Sequence, residues 1–202
     1  MPVLQLHQLR VAAVAKQICD NLDVKVDTTT VITACLLHDM GNIIKFDTSI
    51  FPEYYQPEGV EYWKEIQSKF IDKYGKDEHY ASLVIAKEIG VNAAVLDCIE
   101  SIDFGKALIN VARKELEPKI CDNADMRVGP HGVLSVDQRL AEGAKRYKNR
   151  LDKWVLPEEQ EKLQHAVRDI EAQVYKHSRI KPTGITDETV APIIEELRSY
   201  EI

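Results

Sequence analysis

The sequence predicts an all-α protein, a compact helical bundle with additional helices toward its C-terminal end. Apolar residues recur at helical spacing along most of the 202 residues, and the alternating pattern of strands is nearly absent. Glycines and prolines fall between the periodic segments, where they close one helix and open the next.

The first helix is expected over 2–20, with Val3, Val11, Val14 and Ile18 on one apolar row. A polar connection, DNLDVKVDTTT, leads to a second helix that Asp27 or Thr28 caps and that runs to about Leu37. Gly41 marks its end or a sharp bend. Segment 46–60, FDTSIFPEYYQPEGV, holds prolines, a glycine and several aromatics and reads as a loop. Helices follow over 60–74, stopped at Gly75, and over 78–89, closed by Gly90; 91–102 and 105–116 read as two shorter ones. Pro118 suits the first turn of a helix through about Met126. After VGPHG, Ser135 and Gln138 form a capping box for a charged helix to about Lys153. Pro157 opens another to about His177, RIKPTGIT reads as a linker, and Asp187 begins a last helix ending near Tyr200. No internal repeat or low-complexity tract is visible.

The length suits one domain with a substantial core. Hydrophobic content of 45% and charged content of 29% are those of a soluble globular protein. A net charge of −7 argues against a binder of nucleic-acid polymers, yet a locally positive site would still accept a small anion. Cys19, Cys35, Cys98 and Cys121 form no C-x-x-C pair and sit in apolar stretches, so they read as reduced core residues of a cytoplasmic protein. No signal-peptide pattern opens the chain, and no apolar run approaches the roughly 20 residues that span a bilayer.

The stretch ACLLHDMGN, residues 34–42, poses the chemical question. An apolar helix ends in an imidazole and a carboxylate, His38 and Asp39, which are costly to bury without a partner. His7 falls on the core row of the first helix. His79 shares a row with Leu83 and Ala86, and Asp125 shares one with Cys121 and Val128. Read singly, His7 and His79 are satisfied core histidines. Read together, these are ionisable groups aimed inward from different helices, and one metal ion where they meet would satisfy them all.

The order His7, His38-Asp39, Asp125 resembles the HD-domain superfamily of metal-dependent phosphohydrolases. HQLRVAAVA resembles the first-helix motif of that family. LLHDMGN resembles its central motif, in which a lysine often stands where this chain has Asn42. ICDNADMRVGPHGVLSVDQRL resembles its distal segment. The resemblance covers roughly residues 4–145. It implies an HD-like metal-binding helical domain over 1–155, with 156–202 as a C-terminal helical extension on or next to the same core.

The resemblance further implies that His7, His38, Asp39 and Asp125 bind a divalent ion (Mn, Fe, Co, Ni, Zn or Mg), one per chain. Asp122 is the rival for the distal position; Asp125 is preferred because it follows Ala124 and precedes Met-Arg-Val. Water activated at the ion would attack phosphorus. Asp39 belongs to the catalytic set with Arg10, which would steady a phosphate, and Asp47, which would orient water or protonate the leaving group. Their structural alternatives are a salt-bridged arginine and a plain loop aspartate. Arg127 is a similar candidate, with a helix-end arginine satisfying carbonyls as the alternative. His79 matches the first of two extra histidines in members that hold two metals. No second histidine follows before Asp125, so Glu100 or Asp103 would have to substitute, which disfavours a dinuclear site and the iron-oxygenase branch. His79 is then an additional metal or substrate contact, or a buried structural histidine. His131 reads as an exposed turn residue, and His165 and His177 as members of solvated faces. Phe51, Tyr54 and Tyr55 either stack on a nucleobase as a lid or anchor their loop to the core.

The expected function is hydrolysis of a small phosphate ester, a nucleotide. The alternative is a non-catalytic or weakly catalytic nucleotide-binding regulator, kept open by Asn42 at the lysine-like position. The expected partner is a small phosphorylated substrate, with no membrane and no nucleic-acid polymer, and a homodimer is allowed.

Overall fold

Helix α1 (Pro2–Asp20) opens with Pro2 in its first turn, where a missing N–H breaks no helical hydrogen bond. Its middle is buried on every side: Gln8, Leu9 and all of 11–15 are enclosed. A helix apolar all round belongs at the centre of a bundle rather than on its surface. In this computed structural model, which describes all residues except 50, 51 and 147–156, α1 is that centre.

Three helices pack directly against it: α2 (Thr28–Leu37), α7 (Glu117–Asp125) and α10 (Asp187–Leu197). Small side chains at the contact, Ala12, Ala13, Ala15, Ala34 and Ala124, are fully buried and permit close approach. Asp27 caps α2 by accepting from the Thr30 amide at 3.1 Å. α5 (Ala93–Ser101), capped by Asn92, closes over α2 and α7, and α4 (Glu78–Ile89) packs on α5. Among the described residues there is no β-strand, only isolated bridges at Leu22–Ser178 and Val128–Val133. No described helix is long and apolar enough to cross a membrane.

α3 (Val60–Tyr74) lies outside the main core. None of its residues is fully buried, and Trp63, Ile66 and Phe70 pack against Ile43, Ile44 and Ala81 in a small second cluster. α9 (Pro157–Tyr175) and α10 belong to the main core. Val167, Ile170 and Val174 of α9 and Val190 and Ile194 of α10 share one apolar cluster with Val11 and Ile120. α9 lies across α6 (Ala107–Ala112) and α7. Buried Arg127 ties these parts together: its guanidinium donates to the carbonyls of Leu134, Pro182 and Ile185. That is the carbonyl-satisfying role open to it in the sequence.

The capping box at the head of α8 (Val136–Arg146) is present in both directions, Ser135 N to Gln138 and Gln138 N to Ser135 Oγ. The expected continuation of α8 toward Lys153 lies outside the described residues. The helix expected over 105–116 is shorter: a 3-10 turn at Phe104–Lys106 leads into α6, which stops at Ala112. Arg113 is extended there, and the Lys119 ammonium, itself buried, takes its carbonyl at 2.6 Å. The loop expected over 46–60 contains a 3-10 turn at Pro52–Tyr55. α10 is capped by a reciprocal Thr186–Thr189 box.

Candidate metal centre

α2 ends at Leu37, and His38 continues with helical backbone angles as its C-cap. Its Nδ1 lies 2.7 Å from the Cys35 carbonyl. A carbonyl only accepts, so Nδ1 carries a proton, and Nε2 is the nitrogen whose lone pair an ion would take in place of its own proton. That Nε2 is buried and makes no hydrogen bond. It lies 3.6 Å from Asp39 Oδ2 and 3.5 Å from Asp125 Oδ1. From α1, His7 Nε2 reaches the same two oxygens at 3.5 Å and 3.2 Å.

The last turn of α7 delivers Asp125, so three elements converge on one point. The donor atoms of His7, His38 and Asp39 all lie within 4.8 Å of one another. Tetrahedral donors about 2.1 Å from an ion are about 3.4 Å apart, close to the imidazole–carboxylate spacings observed here. The orphaned, buried Nε2 of His38, with His7 Nε2 and the Asp39 carboxylate, fits a divalent ion, and Asp125 stands beside them within ion-pair reach of both histidines. Without one, the cluster is held by charge. Burial opposes a proton on His38, but the Asp39 and Asp125 carboxylates raise its imidazole to about 9. Burial likewise opposes the Asp125 charge, yet the two histidines hold its carboxyl well below the usual carboxylate range.

Two neighbours set the geometry. Asn42 Nδ2 donates to Asp39 Oδ2 at 2.6 Å. Gly41 has an ordinary φ of −87°, so the need for glycine is not conformational. A Cβ there would lie 2.4 Å from the Glu78 carbonyl and 2.7 Å from Ala81 Cβ. Its amide also donates to Ser82 Oγ at 2.9 Å. Gly41 thus lets the first turn of α4 lie against the centre and bring His79 to its edge.

The four donors lie in the wall of a cavity of about 860 Å³. His79 also lines it, with Nε2 3.5 Å from Glu100 Oε2, and Lys106 holds the same carboxylate at 2.8 Å. Asp103 lines the cavity as well, and its Oδ1 accepts from the Gly105 amide. Asp47 is a further wall residue, and its Oδ1 accepts from the amide and hydroxyl of Ser49. Tyr54 faces the cavity, donates to the Pro130 carbonyl at 3.0 Å and stands edge-on to His131. Tyr55 is buried and donates to the Asp47 carbonyl, which anchors the loop. Phe51 lies outside the described residues.

Asp122, the rival distal aspartate, faces elsewhere. It is buried, accepts from Asn110 Nδ2 at 3.0 Å and does not line the cavity. Burial pushes its carboxyl up to about 8. Arg10 does not line the cavity either: its Nε lies 3.4 Å from Asp187 Oδ1 in the first turn of α10. The same Asp187 carboxylate accepts from the Val133 amide. His131 and His165 are exposed, while His177 is half-buried, its carbonyl accepting from the Asp23 amide. Sequence reasoning missed Lys45, Arg139, Arg146 and Gln164, all of which line the cavity. No spacing rule places α8 and α9 beside the centre, so Arg139, Arg146 and Gln164 carried no signal.

A family model of the HD domain matches residues 5–125. Searches of curated proteins and of solved structures returned no match.

Proposed function

The chain belongs to the HD-domain family, in general one of metal-dependent phosphohydrolases, and on that premise we propose that it hydrolyses a small phosphate ester, a nucleotide. The observation that carries this reading is the convergence of His7, His38, Asp39 and Asp125 in a cavity wall, with the buried Nε2 of His38 lacking a hydrogen-bond partner. These four residues would hold one divalent ion. When bound, it supplies a lowered water pKa and a Lewis acid for a phosphoryl oxygen.

The residues around it supply the rest. Asn42 orients Asp39 through its amide, and the Cys35 carbonyl fixes the His38 ring. Asp47, in the cavity wall, would hold a proton for the leaving group, and His79, beside Glu100, would contact substrate. Pockets of about 300–1,000 Å³ take small molecules, and the aromatic rings of Phe46, Tyr54 and Phe104 in this wall favour a substrate with a flat base. The four free, buried cysteines favour a reducing, cytoplasmic location.

The second reading, a nucleotide-binding regulator, draws on the amide at position 42 in place of a cation. The two separate experimentally. Elemental analysis of chelator-free protein, beside His38→Ala, should show about one transition metal per chain that the variant loses. Turnover of phosphate esters with added Mn or Co, abolished in Asp39→Ala, supports the enzyme. Metal without turnover on any ester supports the regulator. No metal after reconstitution overturns the enzyme reading.

A further inference from the structure

The sequence offered Arg10 as the cation for a substrate phosphate, and in the structure Arg10 lies outside the cavity wall with its Nε 3.4 Å from Asp187. Phosphate esters are anions, and the described cavity wall is rich in carboxylates: Asp39, Asp47, Glu78, Asp103 and Asp125. Lys45 of that wall lies 3.4 Å from Glu78. The remaining cations, Arg139 and Arg146, both come from α8, beyond the residues that the HD-domain match covers.

Arg139 is built in rather than trailing in solvent. Its side chain is 16% exposed. Nε donates to the Val128 carbonyl at 2.9 Å, and Val128 N in turn takes the Asp125 carbonyl at 3.0 Å. The guanidinium is therefore tied to the turn that follows the distal metal-ligand candidate. Nη1 donates to Glu142 Oε2 at 2.9 Å, and Arg146 holds both oxygens of the same carboxylate. One carboxylate, Glu142, thus braces both arginines. With Nε and Nη1 fixed, Nη2 makes no hydrogen bond among the described residues. Gly143, one turn along α8, lines the cavity beside it; its Cβ position is 3.5 Å from Nη1, so any longer side chain would fill the space over the guanidinium.

We propose that Arg139 and Gly143 form an oxyanion subsite in which Arg139 Nη2 donates to a phosphate oxygen of the substrate. The proposal deepens the phosphohydrolase reading and rests on it for the identity of the anion as a substrate phosphate. A guanidinium held by two acceptors keeps its remaining N–H groups in one plane, which suits phosphate and loses little entropy on binding.

The test is a calorimetric titration with inorganic phosphate of wild type, Arg139→Ala, Arg139→Lys, Gly143→Leu and Arg10→Ala, each first checked for helicity and metal content. The protein is titrated with whatever metal it retains, or metal-free if it retains none. Arg139→Ala should weaken phosphate about 10- to 100-fold, as for loss of a charge-assisted hydrogen bond. Arg139→Lys should recover only part of this, because a single ammonium is not a planar fork. Gly143→Leu, which keeps the arginine and fills the space beside it, should also weaken phosphate. Absent phosphate binding in the wild type, or equal affinity in wild type and a folded Arg139→Ala, overturns the proposal. So does loss confined to Arg10→Ala. Arg139-dependent phosphate binding with no turnover of any ester keeps the subsite and removes the hydrolase reading. Turnover with the same KM in wild type and Arg139→Ala does the reverse.

Discussion

The carboxamide of Asn42 donates to Asp39 Oδ2 at 2.6 Å, and that same oxygen faces His7 Nε2 at 3.5 Å and His38 Nε2 at 3.6 Å. Asn42 is itself buried and lines the cavity. The residue at the lysine-like position of the motif is therefore occupied with aiming a metal-ligand candidate. Removing such a supporting donor typically costs about 10- to 100-fold in metal affinity. Asn42→Ala should bind Mn or Zn weaker by that factor in competition with a chromophoric chelator, with helicity retained. Unchanged affinity would mean that Asp39 is oriented without it.

Gly41→Ala should destabilise the fold by about 1–3 kcal/mol, the usual cost of overpacking. The added methyl meets backbone atoms of α4, the Glu78 carbonyl and the Ser82 nitrogen at 2.8 Å, which cannot swing aside as a flexible side chain can. A thermal scan should show Tm lowered by about 2–4 °C per kcal/mol for a chain of this size. A Tm equal to wild type would show that α4 shifts freely.

Metal-free and metal-loaded protein should respond to pH with opposite sign. The His38 imidazole sits near 9 in the folded metal-free protein against an ordinary 6.5, so the folded state holds its proton more tightly. That stabilisation is complete below about 6.5 and is lost as pH rises through about 9. The urea midpoint of metal-free protein should therefore fall between pH 6 and 9. Metal must displace the same proton, so apparent metal affinity should rise over that interval by up to tenfold per pH unit. Metal at 100–1,000 times its Kd adds about 3–4 kcal/mol, and chelation should remove it. A His38→Ala protein that kept the same metal-free slope would place the titrating group elsewhere.

Asp122→Asn should stabilise the protein above neutral pH by about 1–3 kcal/mol, the cost of a poorly satisfied buried charge. The Asp122 carboxyl is raised to about 8 by burial, against a hydrogen bond from Asn110. Its folded pKa exceeds the ordinary 3.8, so its ionisation destabilises the fold increasingly from there to about 8, and fully above. The gain in the variant should grow over the same range in urea titrations. Metal content should stay at the wild-type level, and its loss would return Asp122 to the ligand set.

Much of the site was legible because it is local. The rows on α1 and α7 follow from a 3.6-residue period, which aimed His7 and Asp125 inward before any contact was known. Helix starts at Asp27 and Ser135 were readable because a cap is a bond between neighbours three residues apart. The choice between Asp122 and Asp125 was open to the period alone, since both fall near the inner face. Asn110, twelve residues upstream, takes one, and the two histidines take the other.

The sequence by itself determined an all-α chain, its main breaks, and which side chains could share an ion. Only the tertiary structure decided that Gly41 is needed for close approach rather than for a left-handed turn. It also turned Arg10 to Asp187 and brought Arg139 into the cavity. The reason is physical. Helical period and capping are set by residues within one or two turns. The meeting of α8, α9 and α10 with α1 and α7 is set by how buried surfaces interlock across more than a hundred residues, for which spacing along the chain carries no rule.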